Sequence, residues 1–331
     1  MDLLNPQFGS SVTLVQKPRL ATIRRGPETP ARRVKPRGIR VPRESQSIHG
    51  KILLGAGISI EVARNLMETP AAWIISEGRR GRLERIEWRG QTYARKIYRV
   101  TSPPSLRVLL PLLPGILRWS RARRSWQSME KGHRGGLPLP LPVALEERAD
   151  CAILISSWIS GEPLHHWHAR ALKQQWKSVD EFRFARWIGT ELRRALAGGL
   201  TTRDLSPYNV LIDGRPEGPW SFGIVDLDES TIGPPPARLQ ALHSLAQVGH
   251  LPPTIGRTLK WRAIDAFLED GGNELLGDRR RAIEELANHI TRLDESKMKR
   301  QLQEGITDPL AGWGLDEQAL PVPPIGGRRG P

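Results

Sequence analysis

The stretch "LTTRDLSPYNVLID", residues 200–213, sets Asp204 and Asn209 five residues apart in a run of turn formers that leads into Val-Leu-Ile. Polar turn residues followed by β-branched ones predict a tight loop feeding a strand. A surface turn whose Asp and Asn bond their own backbone would satisfy that pattern, so the flanking sequence has to decide. After the turn "GRPEGPW" (214–220) comes a second strand-like run, "SFGIVDLDES" (221–230), with Asp226 and Asp228 near its end. Pairing of these two strands brings "RDLSPYN" and "VDLD" together, so Asp204, Asn209 and Asp226 can face one cleft.

That grouping suits phosphoryl transfer. The reaction needs a carboxylate to orient the attacking hydroxyl and accept its proton, and oxygen ligands to hold Mg²⁺ against the phosphates. Asp204 fits the first role. Asn209 and Asp226 fit the second, because Mg²⁺ prefers hard oxygen donors. A lysine to pair with the phosphates is available upstream: "TYARKIY" (92–98) sets Ala94 and Lys96 on one face of a strand. Gly78 and Gly81 in "EGRRGRLERI" (77–86) are candidates for a nucleotide-binding glycine loop, although two glycines in a hairpin turn more often serve the turn itself.

Outward from this centre the chain divides by composition. "AAWIIS", "RLERIEW" and "QTYARKIYRV" between 71 and 100 read as strands separated by turns, residues 117–131 as helix, "LPLPLPVALEE" (137–147) as extended, and "CAILISSWI" (151–159) as a buried strand. Ser178 and Glu181 have the spacing of a capping box. Phe182, Ala185, Ile188, Leu192 and Ala195 follow at helical intervals, and Gly198–Gly199 closes the segment. The expectation is an α+β fold of two lobes, a small antiparallel β N-lobe over 51–157 and a mainly helical C-lobe over 158–315. A disordered basic arm (1–50) and a disordered Pro/Gly tail (316–331) would flank them.

Composition bounds the setting. Cys151 is the one cysteine of 331 residues, which excludes an intramolecular disulfide or a cysteine-rich zinc site and fits a reducing cytoplasm. The N-terminus lacks a basic region followed by an apolar core, and the longest apolar run (106–119) is too short to span a bilayer and holds two prolines. That run could dock on a membrane surface or pack inside the small lobe. Residues 1–50 hold ten Lys/Arg against three acidic residues, a net +7 of the chain's +15. Such an arm could touch an anionic membrane surface or remain solvated; no specific nucleic acid is expected. The imidazoles of "HHWH" (165–168) lack an adjacent Cys or carboxylate and read as helix surface. The eleven tryptophans read as lobe packing, and Arg79, Arg80, Arg82 and Arg85 as a solvated hairpin face.

In order, D-L-x-x-x-N, the later I-V-D-L-D and A-x-K resemble the catalytic loop, the metal-binding motif and the phosphate lysine of the protein-kinase-like fold. "ARKIYR" (94–99), residues 120–147, "AILISSWISGEPL" (152–164) and "DLSPYNVLID" (204–213) are similar to successive blocks of the bacterial lipopolysaccharide-core kinases, which include heptose and Kdo kinases. The resemblance spans roughly 70–235. It implies ATP and Mg as cofactors, a lipopolysaccharide-core sugar or glycolipid as acceptor, and a cytoplasmic enzyme working at the inner face of the membrane. Two positions depart from it. Thr202 stands where the catalytic loop usually begins with His. Ser125 stands where a helix Glu would pair with Lys96, and Glu130 is turned about 140° away from it, so Lys96 is expected to lack its usual ion pair. Only "TIGPPP" separates "VDLDES" from the next helical run, which disfavours a protein substrate docked on a long activation segment. Aminoglycoside- and choline-type kinases, which share the two Asp motifs, protein kinases of the same fold and a pseudokinase binding an anionic surface stay open as alternatives.

Overall fold

The computed structural model describes residues 51–321 apart from 100–119, 149, 270, 307, 309 and 317–319. The expected basic arm, the apolar run 106–119 and all but Asp316, Leu320 and Pro321 of the expected tail lie outside those residues.

Six strands form one antiparallel sheet in the order β1-β5-β6-β4-β3-β2: β1 (Lys51–Leu54), β2 (Ala71–Gly78), β3 (Gly81–Trp88), β4 (Gln91–Arg99), β5 (Pro142–Glu147) and β6 (Cys151–Ser157). Helix α1 (Ile60–Glu68) lies between β1 and β2, and α2 (Ser120–Arg134) precedes β5. Neither β1 nor α1 is among the expected elements. The signal for α1 was nonetheless present. Ser59 Oγ accepts from Val62 N at 3.2 Å as the N-cap, and Ala63, Leu66 and Met67 bury one face at helical spacing.

That face packs on Ile86, Val143, Ala144, Ile153 and Ile155 of the sheet, and an ion pair anchors it. Glu84 is fully buried on β3, and Arg95 stands directly across from it on β4, with Nε donating to Glu84 Oε2 at 2.5 Å. The same guanidinium donates through Nη1 to the carbonyls of Met67 (2.8 Å) and Thr69 (2.7 Å), closing the C-terminal end of α1. Helix α2 is tied to β5 by two bonds from Arg123 to Glu147, at 2.5 and 2.6 Å.

Beyond Ser157 the chain is mainly helical: β7 (Glu162–Pro163), α3 (Leu164–Lys173), α4 (Ser178–Ala197), β8 (Leu200–Thr202), β9 (Val210–Gly214), β10 (Trp220–Ile224), a 3₁₀ turn (Leu227–Glu229) and β11 (Ser230–Ile232). Helices α5 (Arg238–Gly249), α6 (Arg257–Leu268), α7 (Gly272–Leu276) and α8 (Arg279–Gln303) follow, then a 3₁₀ turn at Ala311–Trp313. The capping box at Ser178 does not form. Lys177 occupies the cap and Ser178 is the first helical residue, while Glu181 turns instead to His168 Nε2 at 3.3 Å. The Gly198–Gly199 stop holds, with Gly199 at φ +87° so close to the Gly233 carbonyl that a Cβ would meet it at 1.8 Å. Trp167 stacks on Phe184, with Trp176, Trp187 and Trp220 around them, so these tryptophans pack the helical part. The turn after α8 continues past Leu315, which bridges to Pro321.

Candidate active site

Two short pairings build the site. β9 and β10 form an antiparallel hairpin from Val210↔Ile224 to Gly214↔Trp220, and Val225 N donates to Asn209 O at 2.9 Å just beyond it. β8 pairs with β11, Thr202 opposite Ser230. The loop 203–209 and the segment 225–229 are therefore held side by side at the same ends of their strands. Thr202, in the position expected to be His, accepts from Asp204 N through Oγ1 at 3.2 Å, and its own carbonyl accepts from Ser244 Oγ at 3.0 Å. Asn209 Nδ2 donates to the Asp204 carbonyl at 3.0 Å, which fixes the loop's curl and leaves Oδ1 without a hydrogen bond among the described residues. The Asp204 side chain is exposed, and among the same residues its carboxylate meets no donor or cation at bonding distance.

Across from this loop a cleft of about 370 Å³ opens under the six-stranded sheet, with Lys96, Tyr98, Asn209, Asp226 and Asp228 on its wall and Leu83 and Ala94 on the sheet side. Lys96 Nζ sits between two carboxylates, 2.7 Å from Asp226 Oδ1 and 2.8 Å from Asp228 Oδ1. Lys96 thus lacks the ion pair to a helix Glu, as expected, but not an ion pair altogether. The partner comes from the 3₁₀ turn instead of from α2. Ser125, at the position expected to be Glu, donates to Asp228 Oδ1 at 2.9 Å, and Tyr98 Oη donates to the same oxygen at 2.7 Å. Glu130 pairs with Arg134 on the outside of α2 and takes no part.

The electrostatics follow from burial. Desolvation and the neighbouring Asp228 charge push the Tyr98 phenol well above its ordinary pKa, so it stays a donor. Burial acts to raise Asp228, but the Lys96 charge and the hydrogen bonds from Lys96, Tyr98 and Ser125 reverse it and hold the carboxylate below its usual pKa. Asp226 holds a left-handed backbone, φ 57° and ψ 65°, a region that costs a non-glycine residue about 1–3 kcal/mol and persists where its surroundings enforce it. Asp228 and Tyr98 were not among the residues singled out from sequence. Their signals are the D-x-D spacing and the two-residue step from Lys96 that places Tyr98 on the same strand face.

Gly78 and Gly81 are not part of this cleft. Gly78 closes the β2–β3 hairpin with nothing near its missing side chain, and at Gly81 a Cβ would meet the Ile97 carbonyl at 2.0 Å. Gly81 is explained by that close approach of β4, and the residues facing the cleft from β2 are Ile75 and Ser76. The "HHWH" run is likewise not helix surface. His165 and His168 are buried, and the Nε2 atoms of His165 and His166 lie 3.2 and 3.1 Å from the Trp313 carbonyl. On the hairpin face, Arg82 and Arg85 pair with Glu84 and Glu87, while Arg79 and Arg80 are exposed.

The donor set fits a magnesium ion brought in with a nucleotide. Among the described residues Asn209 Oδ1 and the second oxygen of the half-exposed Asp226 carboxylate have no partner, and no three His, Cys, Asp or Glu form a metal site by themselves. Two protein oxygens plus substrate phosphates is the usual way this cation is held.

A sequence profile of the phosphotransferase enzyme family (APH) matches residues 160–239, the stretch that holds the 203–209 loop, the β9–β10 hairpin and both Asp226 and Asp228. Among solved structures the chain is similar to "WaaP in complex with acyl carrier protein", at a TM-score of 0.53 and 16% identity over 73% of this chain and 99% of that one. No curated protein matches the sequence. The fold is kinase-like, as the order of motifs implied, and the chain carries a phosphotransferase-type segment at the site.

Proposed function

We propose that this chain, a kinase-like fold with a phosphotransferase-type segment, transfers the γ-phosphate of Mg-ATP to a sugar hydroxyl, of the lipopolysaccharide core or a related glycan. The observation that carries the reading is the seating of Lys96 between Asp226 and Asp228 on a cleft wall shared with Asn209, whose amide bonds the Asp204 carbonyl of the same loop. In this reading Lys96 meets the nucleotide phosphates, Asn209 and Asp226 hold the magnesium, and Asp204 orients the acceptor hydroxyl and takes its proton. Bound magnesium would neutralise charge on the phosphate oxygens. Asp228 keeps Lys96 extended into the cleft while Asp226 turns to the metal. From the sheet, Leu83, Ala94 and Leu154 give the cleft an apolar lining.

A sugar is favoured over a protein acceptor by the segment after Asp228. It enters β11 at once, is stitched to β8, and reaches α5 at Arg238, which leaves no long loop on which a polypeptide could dock. The order of motifs, which resembles that of the lipopolysaccharide-core kinases, supports the core-sugar class. Working at the inner face of the membrane belongs to the same proposal. Among the described residues no helix is long and apolar enough to cross a bilayer.

The test pairs binding with turnover. Mg-ATP should raise the melting temperature by mass action, and Asp226→Ala should abolish the magnesium dependence of that shift. Asp204→Asn should keep the shift and lower phosphate transfer by roughly 10²–10⁴, the span for losing a positioned general base. Full turnover in Asp204→Asn would sink the assignment.

A further inference from the structure

Among the described residues Lys297 is a cation without an ionic partner, placed beside the loop that carries Asp204. It projects from α8, half-buried, and its ammonium lies 5.9 Å over the ring of Trp313 without a hydrogen bond or ion pair to any of those residues. It is close enough to Asp204 and Asp294 for both charges to act on it, yet it closes onto neither. Asp294, one helical turn before it, is taken by His250 Nδ1. Burial lowers the Lys297 pKa from its ordinary value despite the two carboxylates. An ammonium stripped of part of its water and given no acceptor is costly to keep.

Its setting is fixed from the 203–209 loop. Tyr208, one residue before Asn209, donates to the Gly312 carbonyl at 3.1 Å and lies parallel to Trp313, with ring centres 6.0 Å apart and planes 8° from parallel. His165 and His166 grip the Trp313 carbonyl from the other side. Trp313 is thereby tied to the loop through Tyr208, and Lys297 lies over its ring. An exposed carboxylate and a half-buried ammonium, neither hydrogen-bonded nor ion-paired among the described residues, stand near one another at the place where the acceptor would meet its base.

We propose that Lys297 is a specificity residue that binds a carboxylate or phosphate carried by the acceptor sugar close to its reacting hydroxyl. The inference rests on the reading of Asp204 as the residue that meets the acceptor. Asp204 takes the hydroxyl, Lys297 takes the anion, and the half-exposed Tyr208 ring of the same loop offers an apolar surface. A charge-assisted bond to a partly desolvated ammonium is worth more than its counterpart in water. The chain's net charge of +15 suits an acidic ligand in general.

The experiment uses the full chain with Mg and a non-hydrolysable ATP analogue and four probes: glucuronate, its neutral methyl ester, glucose 6-phosphate and glucose. Binding is followed by ligand-detected NMR titration. At least one charged sugar should bind about tenfold more tightly than its neutral counterpart, a factor of ten being one charge-assisted contact. Lys297→Met should remove that preference and leave the neutral probes unchanged, and Lys297→Arg should keep most of it. The pair showing the effect tells carboxylate from phosphate. A wild-type chain that prefers neither charged probe overturns the proposal, as does a Lys297→Met variant that weakens charged and neutral probes alike or leaves the preference intact. Analogue binding is read separately in the same samples. Its absence would count against the kinase reading, while the sugar titrations would still decide the role of Lys297.

Discussion

Asp228 does for Lys96 what the sequence assigned to a helix glutamate. Three donors, from Lys96, Tyr98 and Ser125, converge on one oxygen of this buried side chain. Its lowered pKa gives the linkage a definite sign. The stabilisation is present above the ordinary carboxylate pKa and is lost as pH falls through the lowered folded value. Asp228→Asn should cost about 2 kcal/mol in urea melts at pH 7, the scale of hydrogen bonds to a charged group, and Ser125→Ala about 1 kcal/mol. Equal losses in the two would mean that Ser125, not the charge, carries the cluster. The sequence made Lys96, Asp204, Asn209 and Asp226 legible because motif spacing constrains them. It could not reveal the Asp228 cluster, which joins a strand, a helix and a turn distant in sequence.

At the scale of elements, β3 shows why alternation misleads. "LERIEW" suggests charges outward, yet Glu84 shares the buried face with Ile86, because Arg95 directly opposite and Arg82 both pair with it, and Arg95 also closes α1. A single strand's pattern cannot show a counter-charge supplied by its neighbour. Arg95→Met should therefore destabilise by about 1–3 kcal/mol, the cost of unmet buried hydrogen-bond partners, because Arg82 still pairs with Glu84. Glu84→Leu combined with Arg95→Met should recover only part of that, since the Met67 and Thr69 carbonyls stay uncapped. Chemical melts of the single and double variants test both statements, and full recovery in the double would show that the cap contributes nothing. The failed capping box at Ser178 has the same origin. Glu181 had a tertiary partner in His168, and that partner won.

For the whole molecule, the legible part ends near β11, where the ordered motifs stop. Helix α8 and the turn behind it carry little motif signal, and yet they support the site through His165, His166, Tyr208 and Trp313. Burial, with the adjacent His166 adding to it, pushes the His165 pKa down to about 3 from 6.5, so the folded chain keeps it neutral. The unfolded chain then binds the extra proton between those two values, so stability should fall as pH drops through that window, by up to about 1.4 kcal/mol per pH unit from this group. Urea melts from pH 7 to pH 4 should show the slope flattening in His165→Gln; an unchanged slope would remove His165 from the account.

The lock between the 203–209 loop and Trp313 also has a meaning in time. Tyr208 waits for Gly312, 104 positions later, and His165 waits for Trp313, 148 positions later. At about 5–20 residues per second of synthesis, that interval is on the order of 5–30 seconds during which a nascent chain holds Asp204 on an unbraced loop. A chain still emerging from the ribosome would already possess every residue of its cleft and still lack the brace that positions one of them. Translation itself then sets when that loop is braced.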